Sequence, residues 1–144
     1  MIEAVGNLWT YPADVRVITT NGSVRKDGCC VMGRGCALEA KKKYPDLPLM
    51  LGQVITSLGN EAFWFLTKDG PVVTFPVKHN WQETADIALI VRSATKIAQM
   101  RALEGRLVVM PRPGCGNGKL KWADVKSVLS PILDDRFHVI TFVK

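Results

Sequence analysis

The sequence predicts an α/β fold with helices on both faces of one sheet, and three observations carry that expectation. Short apolar runs rich in valine and isoleucine recur along the chain, as buried strands do. Segments with apolar residues at helical spacing separate several of them. Two glycine-rich stretches each follow a strand and lead into a helix, the arrangement found at the carboxyl edge of the sheet in alternating α/β proteins. A chain of 144 residues can bury most of its apolar surface in a single core, so we expect one domain over residues 1–144.

The elements follow in order. Val15-Arg-Val-Ile-Thr19 alternates as a strand and runs into the turn signal Asn21-Gly22. A polar, glycine-rich segment from Gly22 to Gly35 precedes a helix over Cys36–Tyr44, stopped by Pro45 and closed by Lys41-Lys42-Lys43, which suit the negative end of the helix dipole. Between Leu49 and Ser57, the β-branched stretch Gln53-Val-Ile-Thr56 reads as a short strand. Glu61–Leu66 and Val72–Phe75 read as strands joined by the turn Lys68-Asp69-Gly70.

Thr84 is placed to cap the next helix, with Asp86 in its first turn; Ile87, Ile90, Val91, Ala94, Ile97 and Ala98 supply its apolar face and Gly105 its end. Leu107–Met110 is a strand, Lys121 to about Leu133 a helix kinked by Pro131, and His138–Val143 a last strand.

Composition excludes several classes. Hydrophobic residues make up 47% and charged residues 22%, which excludes a disordered chain. No apolar run reaches the length of a bilayer, and Met1-Ile-Glu-Ala4 lacks the basic and apolar regions of a signal peptide. Cys29, Cys30, Cys36 and Cys115 form no CxxC pair, so we expect reduced thiols in a cytoplasmic protein with no membrane contact. Cysteine and histidine spacing supports no zinc site, and no metal is expected. A net charge of +6 favours a polyanionic partner or a phosphate-bearing ligand. The basic residues are scattered apart from the lysine triplet, so no dedicated nucleic-acid stripe is visible.

The most informative stretch is Met110-Pro-Arg-Pro-Gly-Cys-Gly-Asn-Gly-Lys-Leu-Lys-Trp122, with glycines at 114, 116 and 118. Glycines allow close backbone approach, successive N–H groups can form an anion-binding nest, and the following helix offers its positive end. Gly28-Cys-Cys-Val-Met-Gly-Arg-Gly35 has the same strand–glycine–helix context. Neither loop is GxxxxGK[ST] or GxGxxG, so they suggest nucleotide recognition without kinase or dehydrogenase chemistry. Phe75-Pro-Val-Lys78-His79-Asn80-Trp81 leaves a strand at the same edge. Lys78 reads either as an ordinary exposed lysine or as one that loses its proton in a pocket and attacks a sugar carbon. His138, within a strand, reads as structural.

Together these elements resemble the macrodomain family, modules that bind ADP-ribose. The resemblance runs through Gly6-Asn-Leu8, Thr20-Asn-Gly22, Val31-Met-Gly-Arg-Gly-Cys-Ala37, Phe75-Pro-Val-Lys78 and Pro113-Gly-Cys-Gly-Asn-Gly118 to Trp122. Within the family the chain looks most like the branch holding the DNA ADP-ribosyl glycohydrolase antitoxins of DarT–DarG systems and the terminal ADP-ribose protein glycohydrolase.

The resemblance implies a three-layer α/β/α sandwich around a mixed sheet, with ADP-ribose at its edge and no cofactor. It places Asn7 and Leu8 by the adenine, Asn21 by the distal ribose, and Val31, Met32, Gly33 and Gly35 along the diphosphate and ribose. Gly114, Cys115, Gly116, Asn117 and Gly118 would close over the diphosphate, and Lys78 would be the catalytic nucleophile. Asn7 stands where many members carry aspartate, which weakens the expected bond to the adenine amino group. Gly118 stands where the protein-directed enzyme carries an acidic catalytic residue, whereas the DNA-directed antitoxins carry glycine.

The implied function is removal of ADP-ribose from a nucleobase, with ADP-ribosylated DNA as partner, by a monomeric stand-alone macrodomain. The alternatives are a phosphatase acting on ADP-ribose 1″-phosphate and a non-catalytic ADP-ribose reader.

Overall fold

The computed structural model describes residues 1–142. Its six-stranded sheet contains β1 (Ile2–Val5), β2 (Val15–Asn21), β3 (Trp64–Thr67), β4 (Gly70–Lys78), β5 (Val108–Pro111) and β6 (Phe137–Thr141), in the spatial order β1-β6-β5-β2-β4-β3. All neighbours pair in parallel except β3, which returns antiparallel to β4 through the turn at Gly70. Two helices, α1 (Gly35–Lys43) and α2 (Leu47–Leu58), bury Ala37, Ala40, Leu51 and Ile55 with Ile18, Val109 and Ile140. The other two, α3 (Ile87–Gln99) and α4 (Trp122–Leu129), bury Ile90, Ala94, Ile97, Val125 and Leu129 with Val17, Phe75 and Met110. The two apolar sets lie on opposite faces of the sheet, because alternate strand residues point to opposite sides. The result is the expected three-layer α/β/α sandwich with a mixed sheet.

Several expectations need correction. Gln53–Thr56 is not a strand but the end of α2. Leu47, Leu51 and Ile55 recur every four residues on its buried face, Pro48 sits in its first turn, and Gly59 ends it at φ 92°. The cap of α3 is Asp86, whose carboxylate accepts from the Ala88 N–H at 3.0 Å, and not Thr84. That helix stops at Gln99, before Gly105. The Arg136 guanidinium takes the Ala98 carbonyl at 2.6 Å and the Leu103 carbonyl beyond it at 3.0 Å. Pro131 does not kink α4, which ends at Leu129. β1 was not anticipated, and β3 begins at Trp64 rather than Glu61. Val143, expected in the last strand, lies outside the described residues. Among the described residues, no helix is long and apolar enough to cross a membrane.

Candidate functional site

Parallel pairing of β6, β5, β2 and β4 brings four carboxyl ends to one edge of the sheet. A cavity of about 690 Å³ lies there, reaching from Ile140 and Thr141 on β6 to Val77 and Lys78 on β4. Three inter-strand spacings separate those strands, roughly 14 Å of sheet width. Its walls are the loop before α1, including Val31, Met32, Gly33 and Gly35, and the loop after β5, including Gly114, Cys115, Gly116, Asn117 and Gly118. Asn21 and Lys78 complete the set at the β4 end, so eleven of the thirteen expected site residues line one cavity.

Asn7 and Leu8 stay outside it. Leu8 is fully buried in the core between the sheet and the α1–α2 layer. The Asn7 side-chain oxygen accepts from the Trp9 N–H at 2.8 Å, so it is already committed to its own turn. The segment nevertheless begins beside the β6 end, since the Gly6 N–H donates to the Thr141 carbonyl at 2.8 Å.

The helix-dipole expectation holds for one loop only. Gly35, Cys36 and Ala37 open α1 against the cavity, presenting free N–H groups and positive potential. The start of α4 does not line it; the Trp122 indole N–H instead donates to Glu3 at 2.8 Å.

The glycines fall into two classes. At Gly33 and Gly116 a Cβ would meet nothing within 4 Å, and neither has a positive φ. The protein's own packing does not demand glycine there; the missing Cβ keeps the cavity open to a ligand. Gly114 and Gly118 are required by packing. A Cβ at 114, where φ is 76°, would stand 2.9 Å from Ile90 Cδ1, and one at 118 would stand 2.5 Å from the Gly114 carbonyl oxygen and 2.7 Å from Ala85 Cβ. The lack of a carboxylate at position 118 is therefore built into the packing of the loop on Ala85.

Asn117 is where the three elements meet. Its carbonyl accepts from Lys78 Nζ at 3.2 Å, and its side-chain nitrogen would lie 3.5 Å from a Cβ on Gly35. The Lys78 backbone carbonyl is held from two sides, by the Gly22 N–H at 3.1 Å and the Asn60 side-chain amide at 2.9 Å. Partial burial first, then the like charges of Arg34 and Lys119, lower the Lys78 pKa below that of a free lysine. The Asn21 amide donates to the Val31 carbonyl at 3.0 Å and accepts from the Ser23 N–H at 3.0 Å, locking the first loop to the end of β2.

Cys115 lines the cavity, but burial raises its thiol pKa, and burial pushes Cys30 up to about 12, so neither is an activated thiolate. Among the described residues, no group of three or more histidine, cysteine or acidic side chains could hold a metal ion. Sequence reasoning missed Arg25, Arg34, Trp81, Arg112 and Phe142, which also line the cavity. Arg34 and Arg112 sit inside or beside the glycine motifs and were findable from them. Phe142 reaches the site only through the strand order.

No family model matches the chain. It is 28% identical over 113 residues to a DNA ADP-ribosyl glycohydrolase of Mycobacterium tuberculosis, covering 69% of this chain and 30% of that protein. It is 28% identical over 142 residues to one of Thermus aquaticus, covering 90% and 36%. The chain thus spans about a third of the length of these curated relatives. Among solved structures, the macrodomain of Mycobacterium tuberculosis DarG superposes with a TM-score of 0.78 at 24% identity, covering 96% of this chain and 95% of that one. Thermosipho africanus DarTG in complex with ADP-ribose superposes with a TM-score of 0.81 at 18% identity, covering 99% and 42%.

Proposed function

We propose that this chain, a macrodomain by fold and similar in sequence to the DarG type, binds ADP-ribose in the cavity at the strand ends and hydrolyses the N-glycosidic link between ADP-ribose and a nucleobase. The observation that carries this reading is Lys78: its Nζ is held at 3.2 Å from the Asn117 carbonyl with its proton affinity lowered, at the end of a cleft walled by two glycine loops. Similarity to proteins named DNA ADP-ribosyl glycohydrolase supports the substrate, and the ADP-ribose complex of a structural neighbour supports the ligand.

In this reading the diphosphate lies between Met32–Gly35 and Gly114–Gly118, facing backbone N–H groups and the start of α1. The adenosine extends toward β6 and the distal ribose toward β4. Neutral Lys78 Nζ forms a bond to the anomeric carbon while the carbon–nitrogen bond to the nucleobase breaks. The base leaves with that electron pair and takes up a proton, the new adduct nitrogen loses one, and water then hydrolyses the lysine–sugar adduct. The domain works as one unit over residues 1–144.

The test is release of ADP-ribose from an oligonucleotide carrying ADP-ribosylated thymidine. Wild type should release it, and Lys78→Ala should not while still binding free ADP-ribose. Equal release by both proteins, or none by wild type, contradicts the reading. Phosphate release from ADP-ribose 1″-phosphate would favour the phosphatase, and tight ADP-ribose binding without turnover of any linked substrate would favour a reader.

A further inference from the structure

The β4 end of the cavity carries two side chains to which the proposed chemistry gives no role. Trp81, on the loop leaving β4, and Arg25, on the loop leaving β2, both line it. Trp81 is 45% exposed, although an indole of this size usually packs against the core. Its backbone, in contrast, is firmly placed. The Trp81 N–H donates to Ser23 Oγ at 3.0 Å, and the Asn80 side chain and carbonyl accept from the Gln82 and Glu83 N–H groups, each at 3.1 Å. The Ser23 N–H is in turn held by Asn21 at 3.0 Å. A rigid turn thus presents a half-exposed aromatic face three residues after Lys78.

Arg25 has a side chain 60% exposed and only a 3.9 Å contact to Asp27. It lies at the junction of the main cavity with a second groove of about 270 Å³, whose lining includes both Lys41 and Asp27. The loops that carry Lys78, Trp81 and Arg25 are thus joined by the Gly22–Lys78 and Ser23–Trp81 hydrogen bonds, and they bring an aromatic face and a guanidinium to the cavity that Lys78 lines.

We infer that Trp81 and Arg25 form the subsite for the leaving group: the Trp81 indole stacks on the ADP-ribosylated nucleobase, and Arg25 takes the phosphate of the adjoining nucleotide. The inference rests on the glycohydrolase reading and deepens it by assigning the residues that hold the leaving base and the phosphate next to it. A base inside a duplex has both faces occupied by its neighbours, whereas a base in a single strand is free to stack on an aromatic side chain. An acidic side chain on a protein substrate offers neither a π face nor a backbone phosphate, so this pair discriminates between acceptor classes.

The experiment compares wild type, Trp81→Ala, Trp81→Phe and Arg25→Gln on ADP-ribosylated thymidine, an ADP-ribosylated single-stranded oligonucleotide and free ADP-ribose. Trp81→Ala should lower kcat/KM on both linked substrates by about 5- to 150-fold, the range expected for one lost base–aromatic stack, and leave ADP-ribose affinity unchanged. Trp81→Phe should recover most of the loss, which also shows that the turn folds without the indole. Arg25→Gln should affect only the oligonucleotide and reduce the slope of its log affinity against log salt by about 0.7, the share of one phosphate contact in a single strand.

Wild-type rates for Trp81→Ala on both linked substrates, or an equal loss of free ADP-ribose affinity, overturn the stacking role. An equal effect of Arg25→Gln on nucleoside and oligonucleotide overturns the phosphate role. If wild type turns over neither linked substrate, the glycohydrolase reading fails by itself. The subsite is then judged by affinity for the ADP-ribosylated oligonucleotide: weakening by Trp81→Ala upholds it, and unchanged affinity overturns it.

Discussion

At the scale of single residues, Lys78 is set by its neighbours. Burial and the charges of Arg34 and Lys119 disfavour the ammonium form, so the neutral amine is reached at lower pH than for a free lysine. If neutral Lys78 is the nucleophile, kcat/KM rises with pH, and the midpoint of that rise lies below the ordinary 10.5. Arg34→Gln removes one like charge, raises the Lys78 pKa and should shift the limb to higher pH; a limb that stays in place excludes that coupling. The glycines give a second contrast. Gly116→Val should fold with near wild-type stability yet lose ADP-ribose affinity, because its side chain projects into open cavity. Gly118→Ala should instead lower the urea midpoint, with a cost of about 1–3 kcal/mol for overpacking against Ala85 and the Gly114 carbonyl. If Gly118→Ala keeps full stability, the packing account of that glycine is wrong.

At the scale of elements, α3 depends on its first residue. Asp86 caps the helix and pairs with His79 Nε2 at 2.8 Å, and that hydrogen bond, followed by the one from the Ala88 N–H, holds its carboxyl below the usual 3.8. A depressed folded-state pKa stabilises the fold fully above the unfolded value and loses that contribution as pH falls through the folded value. Asp86→Ala should therefore lower the urea midpoint at pH 7 and make no difference once wild-type Asp86 is itself protonated.

How legible each element was in the sequence follows from the physics that makes it. β2, β4 and β5 showed in their buried β-branched runs, and α3 in its apolar face. Misreading α2 came from four β-branched and polar residues, when the deciding contacts are long-range: Gly52 packs so closely on the Gly28 backbone that a Cβ there would collide with the Gly28 carbonyl oxygen. β1 carries almost no signal of its own, since three of its four residues are exposed and its pairing to β6 alone defines it. Both glycine loops were legible because local backbone freedom is written in composition. Arg25 and Phe142 join the site through tertiary placement that no local pattern encodes.

At the scale of the whole molecule, the parallel core of the sheet is what gathers the site. Its spatial order gathers residues from β6, β5, β2 and β4 at one edge, although those of β2 and β6 lie more than a hundred positions apart in the chain. The positive charge of the chain then bears on a polyanionic substrate more than on ADP-ribose alone. Affinity for the ADP-ribosylated oligonucleotide should fall more steeply with salt than affinity for free ADP-ribose; equal slopes would mean that the oligonucleotide adds no phosphate contact to those of ADP-ribose. The proposed chemistry is measured most directly by the release of ADP-ribose from an oligonucleotide carrying ADP-ribosylated thymidine, with wild type and Lys78→Ala side by side. Release by wild type alone, with ADP-ribose binding intact in the variant, is the expected result. Equal release by the variant, or no release by wild type, would contradict a lysine-driven glycohydrolase.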